Sequence, residues 1–255
     1  MPRRLNNSQW IIVGCVTALC LMPGCSRTIN RSAERRIRDT LPEYIGQASD
    51  WKAHVDNPAG RTLRGHLKTV TIDGTQVHLK QTIVCDTLHI EMKDVDVDTG
   101  GHRLKSVGST LFAATISEKS LNDYVRDTPP PPDEPVHVKK IVLRAGVMHV
   151  EGTRWILGKA WPYTMNVEPR IANSKKVEFD PDKMTAIGVT LPIPASALRW
   201  FARRMSEGLE MSTLPFPVEL RTFLVTPGRL MLIGTADVMQ SLNQQMSTVW
   251  PKDKR

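Results

Sequence analysis

Residues 194–208, PASALRWFARRMSEG, have the hydrophobic spacing of an amphipathic helix. Leu198, Phe201 and Met205 recur at intervals of three and four residues, which places them on one face of a helix. Proline suits the first helical position, and glycine suits the residue just past the last turn. The sequence therefore predicts a helix that buries one face, and the rest of the fold must supply what that face packs against.

The opposite face of this predicted helix is basic and carries one indole: Arg199, Trp200, Arg203 and Arg204. Tryptophan and arginine both combine an apolar body with a polar end, so they suit the boundary between hydrocarbon and water. We predict that these four residues face lipid headgroups or an anionic membrane surface. The alternative is a helix whose polar face is simply solvated.

Hydrophobic alternation on both sides of this segment predicts strands. In the first half they are residues 51–55, 65–72, 76–80, 84–97 and 107–115, with a hairpin turn at Asp73-Gly74 and a β-bulge near Lys93-Asp94. In the second half they are residues 136–149, 154–167, 170–179, 183–191, 218–225 and 229–236, with turns that include Gly146 and Gly152.

Two further helices are predicted. One covers residues 29–45 and is kinked or interrupted near Pro42. The other covers residues 116–127, starts from a capping box of Thr115 and Glu118, and turns Leu121, Tyr124 and Val125 inward. Four successive prolines in residues 128–135 exclude a helix or a ladder strand there and predict an exposed loop.

The amino terminus has the pattern of a secretory signal. A short basic region precedes the uncharged apolar run 10–22, which is too short to span a membrane, and Leu21-Met22-Pro23-Gly24-Cys25 resembles a bacterial lipobox. We therefore predict a signal peptide over residues 1–24 and a lipidated Cys25 that anchors an exported protein in the cell envelope, on its periplasmic or extracellular face. Secretion without a lipid is the alternative.

Charge and cysteine content fit an exported protein. The net charge is +8, and a basic helical segment, residues 25–50, follows Cys25, which favours anionic headgroups. Export and the absence of basic runs interleaved with aromatic residues argue against nucleic acid as a partner. Cys85 is the one cysteine left for the mature domain, so the sequence predicts no internal disulfide.

Motifs for catalysis are missing from the sequence. It contains no G-x-S-x-G, H-E-x-x-H, P-loop, dinucleotide-binding or C-x-x-C pattern. The histidines are scattered over predicted strands, and no carboxylate pair stands out as an acid and a base. We therefore predict no enzyme activity, no cofactor and no metal site, with a hydrolase of unrecognised motif as the weakest alternative.

Five segments resemble the LmeA-like family of secreted bacterial phospholipid-binding proteins: residues 115–124, 177–184, 191–194, 214–218 and 226–234, in an overall similarity over roughly residues 59–236. The resemblance implies an α+β fold similar to tubular lipid-binding proteins. In such a fold a long, curved, mostly antiparallel sheet wraps one or two amphipathic helices and encloses an apolar groove or cavity. It also implies phospholipid as the ligand.

From these observations we predict an envelope lipoprotein that binds phospholipid or a similar amphiphile without catalysis. Residues 51–240 form one lipid-binding domain, and residues 241–255 form a polar tail. The apolar lipid-binding residues are Leu121, Tyr124, Val125, Val189, Leu191, Leu198, Phe201 and Met205. The alternative is a structural or adaptor protein of the envelope, with a filled core, that binds another protein.

Overall fold

A computed structural model describes residues 26–62, 64–79, 83–98, 103–128, 136–174, 176–180, 185–187, 195–210 and 218–236. The helices in this part of the chain are α1 (Ser26–Tyr44), α2 (Ala59–Thr62), α3 (Glu118–Asp127) and α4 (Ala195–Gly208). The strands are β1 (Gly46–Gln47), β2 (Asp50–Asp56), β3 (His66–Leu79), β4 (Cys85–Asp98), β5 (Arg103–Ser117), β6 (Val136–Arg144), β7 (Val147–Ile156), β8 (Lys159–Val167), β9 (Pro169–Ala172), β10 (Lys176–Phe179), β11 (Thr185–Ile187), β12 (Val218–Thr226) and β13 (Arg229–Ala236).

The described strands form three antiparallel sheets. The largest has the order β1-β3-β4-β5-β13-β12, with β2 also paired to β3; the second has the order β11-β8-β7-β6, and β9 pairs with β10. None of these sheets is closed or strongly curled. The predicted combination of antiparallel strands and amphipathic helices is confirmed, but the strands do not form the single long sheet that we predicted.

The first helix covers the edge of the large sheet. Ile29, Ala33 and Leu41 on α1 are buried, and β2 contributes Trp51 and Val55 to the same core cluster. On α1, Ala33 follows Ile29 by four residues and Leu41 follows Ala33 by eight. This spacing follows the helical repeat, so α1 presents one apolar stripe to β2. The helix continues through Pro42 to Tyr44, so the predicted interruption does not occur, and the alternative of a kink at this proline stays a prediction.

The hairpin predicted at Asp73-Gly74 is wrong, because β3 runs through both residues as one strand. Gly74 pairs with Trp51 on one side and with Leu88 on the other. A Cβ atom on Gly74 would lie 2.5 Å from the ring of Trp51. The glycine therefore serves close packing of an indole within a sheet, which a local sequence pattern does not distinguish from a turn.

The irregularity predicted near Lys93-Asp94 is confirmed. Asp94 has a φ angle of 50°, in the left-handed region, and the buried side of β4 changes there from Leu88 and Ile90 to Val95. The ladder between β4 and β5 also shifts register, between Asp96 and Val97. One residue out of the extended conformation is enough to exchange the two faces of a strand, because side chains alternate.

Helix α3 connects the first two sheets. Its N-cap is Ser117, whose side chain accepts a hydrogen bond from the Ser120 backbone N–H at 3.1 Å, so the capping box predicted at Thr115 is wrong. Glu118 instead accepts a hydrogen bond from the backbone N–H of Leu143, at 2.9 Å. Farther along α3, the amide group of Asn122 bonds to both backbone groups of Ile141, at 2.7 and 2.9 Å. These bonds satisfy backbone groups of β6 that its neighbour β7 does not reach.

Candidate functional site

The inner face of α4 is buried as the sequence predicts. Phe201 and Met205 are 2% and 1% exposed, and Leu198 is partly buried against the same core. The ring of Phe179, from β10, meets the ring of Phe201 edge to face, with centroids 6.4 Å apart and planes at 77°. This T-shaped contact and the apolar stripe fix α4 on the β9–β10 pair.

Trp200 does not lie on the exposed face of α4, so that part of the prediction is wrong. Its side chain is 9% exposed and belongs to the core. The buried arc of the helix is wide. Among the α4 residues whose burial is described, before Leu209, the exposed ones form a narrow strip of residues four apart: Ala195, Arg199, Arg203 and Glu207. The acid in this strip pairs with Arg203 at 4.0 Å and with Arg204 at 3.2 Å, which offsets part of the basic charge.

Arg204 contacts α3 instead of extending freely into solvent. Its guanidinium carbon lies 5.2 Å from the centroid of the Tyr124 ring, and the Tyr124 hydroxyl donates a hydrogen bond to the Arg204 carbonyl oxygen at 3.2 Å. The ring also lies against Gly208, where a Cβ atom would come within 2.8 Å. Burial is the main reason that the pKa of Tyr124 is raised. The two helices that carry most of the predicted lipid-binding residues are therefore in direct contact.

The other predicted site residues divide into two groups. Leu121 is fully buried, and Val125 is partly buried against the same core as α4. Val189, Leu191 and Cys25 lie outside the described residues. Burial fits the predicted inward orientation, while the role of these residues in lipid binding stays a prediction.

A groove of about 430 Å³ lies between α4 and the β9–β10 pair. Its lining is mostly charged: Arg170, Lys176, Glu178, Phe179, Asp180, Ala202, Arg203, Ser206, Glu207 and Glu210. The basic residues pair with acids of the same groove, at 3.3 Å for Arg170 and Asp180 and at 2.9 Å for Lys176 and Glu178. This charged, balanced lining does not suit a hydrocarbon chain, so the groove is not the predicted apolar cavity.

A buried tyrosine that the sequence analysis did not single out lies on β8. Tyr163 is 3% exposed, and its hydroxyl has no hydrogen-bond partner in the described part of the chain. Burial raises its pKa above the usual range. On β7, Gly152 faces it so closely that a Cβ atom would come within 2.5 Å of the ring. The alternation of Tyr163 with Met165 and Val167 was the available signal that its side chain points inward.

The reactive side chains of the described part of the chain form pairs and small polar clusters, such as His66 and Ser106 on Asp96. No group of three or more His, Cys, Asp or Glu residues there could hold a metal ion. His89 pairs with Asp73 at 2.7 Å on an open face of the large sheet. The thiol of Cys85 is buried, and burial, with a smaller effect of Asp86, raises its pKa to about 12, so it is almost entirely protonated at neutral pH.

No helix in the described ranges combines the length and the apolar character that crossing a membrane requires. The described structure is mostly β, with helices that bury apolar faces, and its candidate site is the apolar contact of α3 and α4 with the core. The family model for LmeA-like phospholipid-binding proteins matches residues 26–235, and the chain belongs to this family. The resemblance stated from the sequence is confirmed. No curated protein and no solved structure matches the chain.

Proposed function

We propose that this protein binds a phospholipid or a similar amphiphile in an apolar space of its core, without catalysing a reaction. The observation that carries the proposal is the family match, which spans nearly all of the described residues. The apolar wall of this space comprises the inner faces of α3 and α4 and two aliphatic residues that precede α4: Leu121, Tyr124, Val125, Leu198, Phe201, Met205, Val189 and Leu191. One domain contains this space and extends on both sides of the proline-rich residues 128–135.

The composition of the core supports this proposal. Met148, Met165 and Met205 are each no more than 2% exposed and belong to one cluster with Phe201. Methionine is unbranched and has several rotatable bonds, so it fills irregular space and changes conformation at low cost. An interior that accommodates a long flexible hydrocarbon chain needs this property.

The unpaired hydroxyl of Tyr163 supports a position for the polar end of the ligand. A buried hydroxyl without a partner costs about 1–3 kcal/mol, so such groups are rare unless something else supplies the hydrogen bond. Tyr163 belongs to the same core cluster as the methionines. An ester or phosphate oxygen of a lipid is a suitable acceptor, and we place it next to this hydroxyl.

The substitution Tyr163→Phe tests this assignment. In the lipid-free protein it should raise the free energy of unfolding by about 1 kcal/mol, because an unsatisfied polar group is removed. The same variant should retain about tenfold less lipid, because the bound molecule loses a buried hydrogen bond. Native mass spectrometry before and after lipid extraction measures the bound fraction, and thermal unfolding of the extracted protein measures stability.

Tyr124→Phe is the matched control. Its hydroxyl already donates to the protein, to Arg204 at 3.2 Å, so the variant should lose about 1 kcal/mol of stability and keep its lipid. Equal lipid retention by the wild type and the Tyr163→Phe variant would show that the hydroxyl does not contact the ligand. A wild-type protein that carries no lipid after native purification would contradict the proposed function itself.

We also propose that the chain is exported as a lipoprotein and held in the cell envelope by Cys25. Helix α1 begins at Ser26, the next residue, and turns Arg31, Arg35 and Arg38 to solvent. Several exposed cations next to a lipid anchor add attraction to anionic headgroups of about 1 kcal/mol each. The helix is therefore suited to lie near the surface of the membrane that holds the anchor.

The exposed strip of α4 provides a second contact with headgroups in this proposal. The double variant Arg199→Gln and Arg203→Gln should weaken binding to anionic vesicles by about 1 kcal/mol per charge, and the loss should fade as salt rises. The loss should come mainly from Arg199, because Arg203 shares Glu207 with Arg204. Vesicle sedimentation at low and high salt measures the change.

A variant with Arg221→Gln and Arg229→Gln removes the same charge from exposed residues of β12 and β13 and serves as the control. The melting temperature should hardly change in either variant, because exposed charge pairs contribute little to stability. Equal weakening by both variants would mean that only net charge matters and that α4 is simply solvated on this side.

An adaptor function is the second candidate, and a specific surface favours it. Leu111 and Leu224 are 41% and 45% exposed on the open face of the large sheet, and Met231 and Ile233 lie between them, partly buried. Aliphatic residues that share one open face of a sheet suit a protein contact. Specific binding of another envelope protein that is lost in a Leu111→Asn and Leu224→Asn variant would support this function.

A further inference from the structure

The hairpin between β7 and β8 ends in three large exposed hydrophobic residues. Trp155 is 50% exposed, Trp161 is 47% exposed, and Leu157, in the turn, is 99% exposed. A single exposed hydrophobic residue is ordinary, whereas three large ones at the end of one hairpin form an interaction surface. We call residues 155–161 the hairpin tip.

The hairpin tip extends beyond the strands on both sides of it in the described structure. Its residues pair with one another, Trp155 with Ala160 among them. On one side the ladder with β6 ends at Val136, opposite Arg154. On the other side the ladder with β11 ends at Ile187, opposite Thr164. Within the described residues the tip is a two-stranded ribbon; the residues just before Val136 and just after Ile187 lie outside them.

Both faces of this ribbon carry an indole. Residues directly opposite each other in an antiparallel ladder lie on the same face. Trp155 shares one face with Ala160, and Trp161 shares the other with Arg154. A surface made for packing on a protein would be apolar on one face. A ribbon with an indole on each face and a leucine at its end suits insertion, end first, into a medium that surrounds it.

The backbone of the turn gives an independent indication. Leu157 and Gly158 have φ angles of 49° and 76°, so this is a two-residue turn with both residues in the left-handed region. Asparagine, aspartate or glycine is preferred at the first position, and leucine there costs about 1 kcal/mol in folding. An apolar side chain that is fully exposed and disfavoured by its own backbone does not serve the stability of the domain.

The charges around the tip select the partner. Lys159 is the exposed charged residue of the tip, and it is basic; Arg154, at the base of the tip, is half-buried and its Nε is buried. Tryptophan side chains concentrate at the headgroup level of bilayers, and a basic residue beside them is attracted to anionic lipid. Two indoles, an exposed leucine and the exposed Lys159 fit the interface of an anionic membrane.

We propose that the hairpin tip inserts into the headgroup region of an anionic phospholipid bilayer and docks the protein on it. Leu157 enters deepest, and the two indoles lie at the interface. The face that carries Trp161 continues along β8 to the buried Tyr163 and Met165. Docking therefore brings the core residues at this end of the second sheet close to the membrane. This contact does not require that the core holds a lipid.

Leu157→Asn tests the docking, because we expect it to weaken membrane binding without lowering the stability of the folded protein. Asparagine tolerates the left-handed conformation, so the melting temperature should stay the same or rise. Binding to vesicles of phosphatidylcholine and phosphatidylglycerol should weaken about tenfold, because a leucine side chain no longer leaves water. The full chain should carry Cys25→Ser in all samples, so that a lipid on Cys25 cannot hold it to the vesicles.

Two further variants extend the test. Replacing Trp155 and Trp161 by Ser should abolish the blue shift of tryptophan fluorescence that anionic vesicles cause in the parent protein. Lys159→Gln should weaken binding about fivefold at low salt and leave it unchanged on vesicles of phosphatidylcholine alone. The control is Leu224→Asn, which removes a leucine that is 45% exposed on β12 and should leave vesicle binding unchanged.

Three results would overturn the proposal. One is a Leu157→Asn variant that binds vesicles as tightly as the parent. Another is a parent protein that forms a dimer, in sedimentation equilibrium, which Leu157→Asn dissociates, since the tip then contacts a second copy. The last is an equal loss with Leu224→Asn. Lipid retained in the core is measured on the same samples: its absence contradicts the proposed function and leaves the docking result intact.

Discussion

Replacing Cys25 with serine is expected to move the protein from the membrane fraction to the soluble fraction. A lipid on the cysteine contributes about 0.8 kcal/mol for each methylene that enters the bilayer, so two or more acyl chains hold a protein firmly. The exposed arginines of α1 and the hairpin tip provide much weaker contacts. Labelling with a fatty-acid probe detects the lipid on Cys25, and cell fractionation measures the share of the protein that is bound to the membrane.

Cys20→Ser is the matched control for this experiment. Cys20 lies five residues before Cys25, inside the predicted signal peptide, and should carry no lipid in the mature protein. Its variant should stay labelled and membrane-bound. Unchanged labelling of the Cys25→Ser variant would show that the lipobox interpretation is wrong, and secretion without a lipid would then be the better account of the amino terminus.

Gly152→Ala is expected to be the most destabilising of the substitutions proposed for the folded domain. The added Cβ atom would lie 2.4 Å from the backbone oxygen of His137 and 2.5 Å from the ring of Tyr163. A backbone oxygen in a ladder cannot move without disturbing β6, so we expect a loss of about 3 kcal/mol in the free energy of unfolding. Chemical denaturation of the purified protein measures it.

Gly146→Ala provides the comparison within the same sheet. Gly146 has a φ angle of 78°, and nothing lies within 4 Å of the position of its Cβ atom. Alanine there should cost about 1 kcal/mol, from backbone strain alone. If the two variants lose equal stability, the packing of Gly152 against β6 and Tyr163 is looser than these distances indicate.

The two proposals meet at the second sheet. Trp161, Tyr163 and Met165 alternate along β8 on one face, from the exposed tip to the core. A lipid leaving the bilayer at the docked tip would meet first an indole, then an unpaired hydroxyl, then an adaptable methionine. The vesicle experiments with Leu157→Asn and the lipid measurements with Tyr163→Phe address the two ends of this row separately.

Local sequence was sufficient where burial follows a repeat. The spacing of Leu198, Phe201 and Met205 predicted which side of α4 is buried, because a helix brings residues three and four apart onto one face whatever they pack against. The family resemblance also came from the sequence, from turns, prolines and apolar positions in order. Strand alternation likewise predicted a change of face near Asp94.

Tertiary structure decided the features that depend on a neighbour distant in sequence. Gly74 and Gly152 resemble turn residues locally, but they lie inside strands because an indole and a phenol ring occupy the space of their missing side chains. Trp200 lies next to the arginines along the chain, yet it is buried, because the core contacts more than half of the circumference of α4. Periodicity gives the direction of a side chain relative to its own helix or strand. Whether another part of the protein lies in that direction is a property of the packed fold.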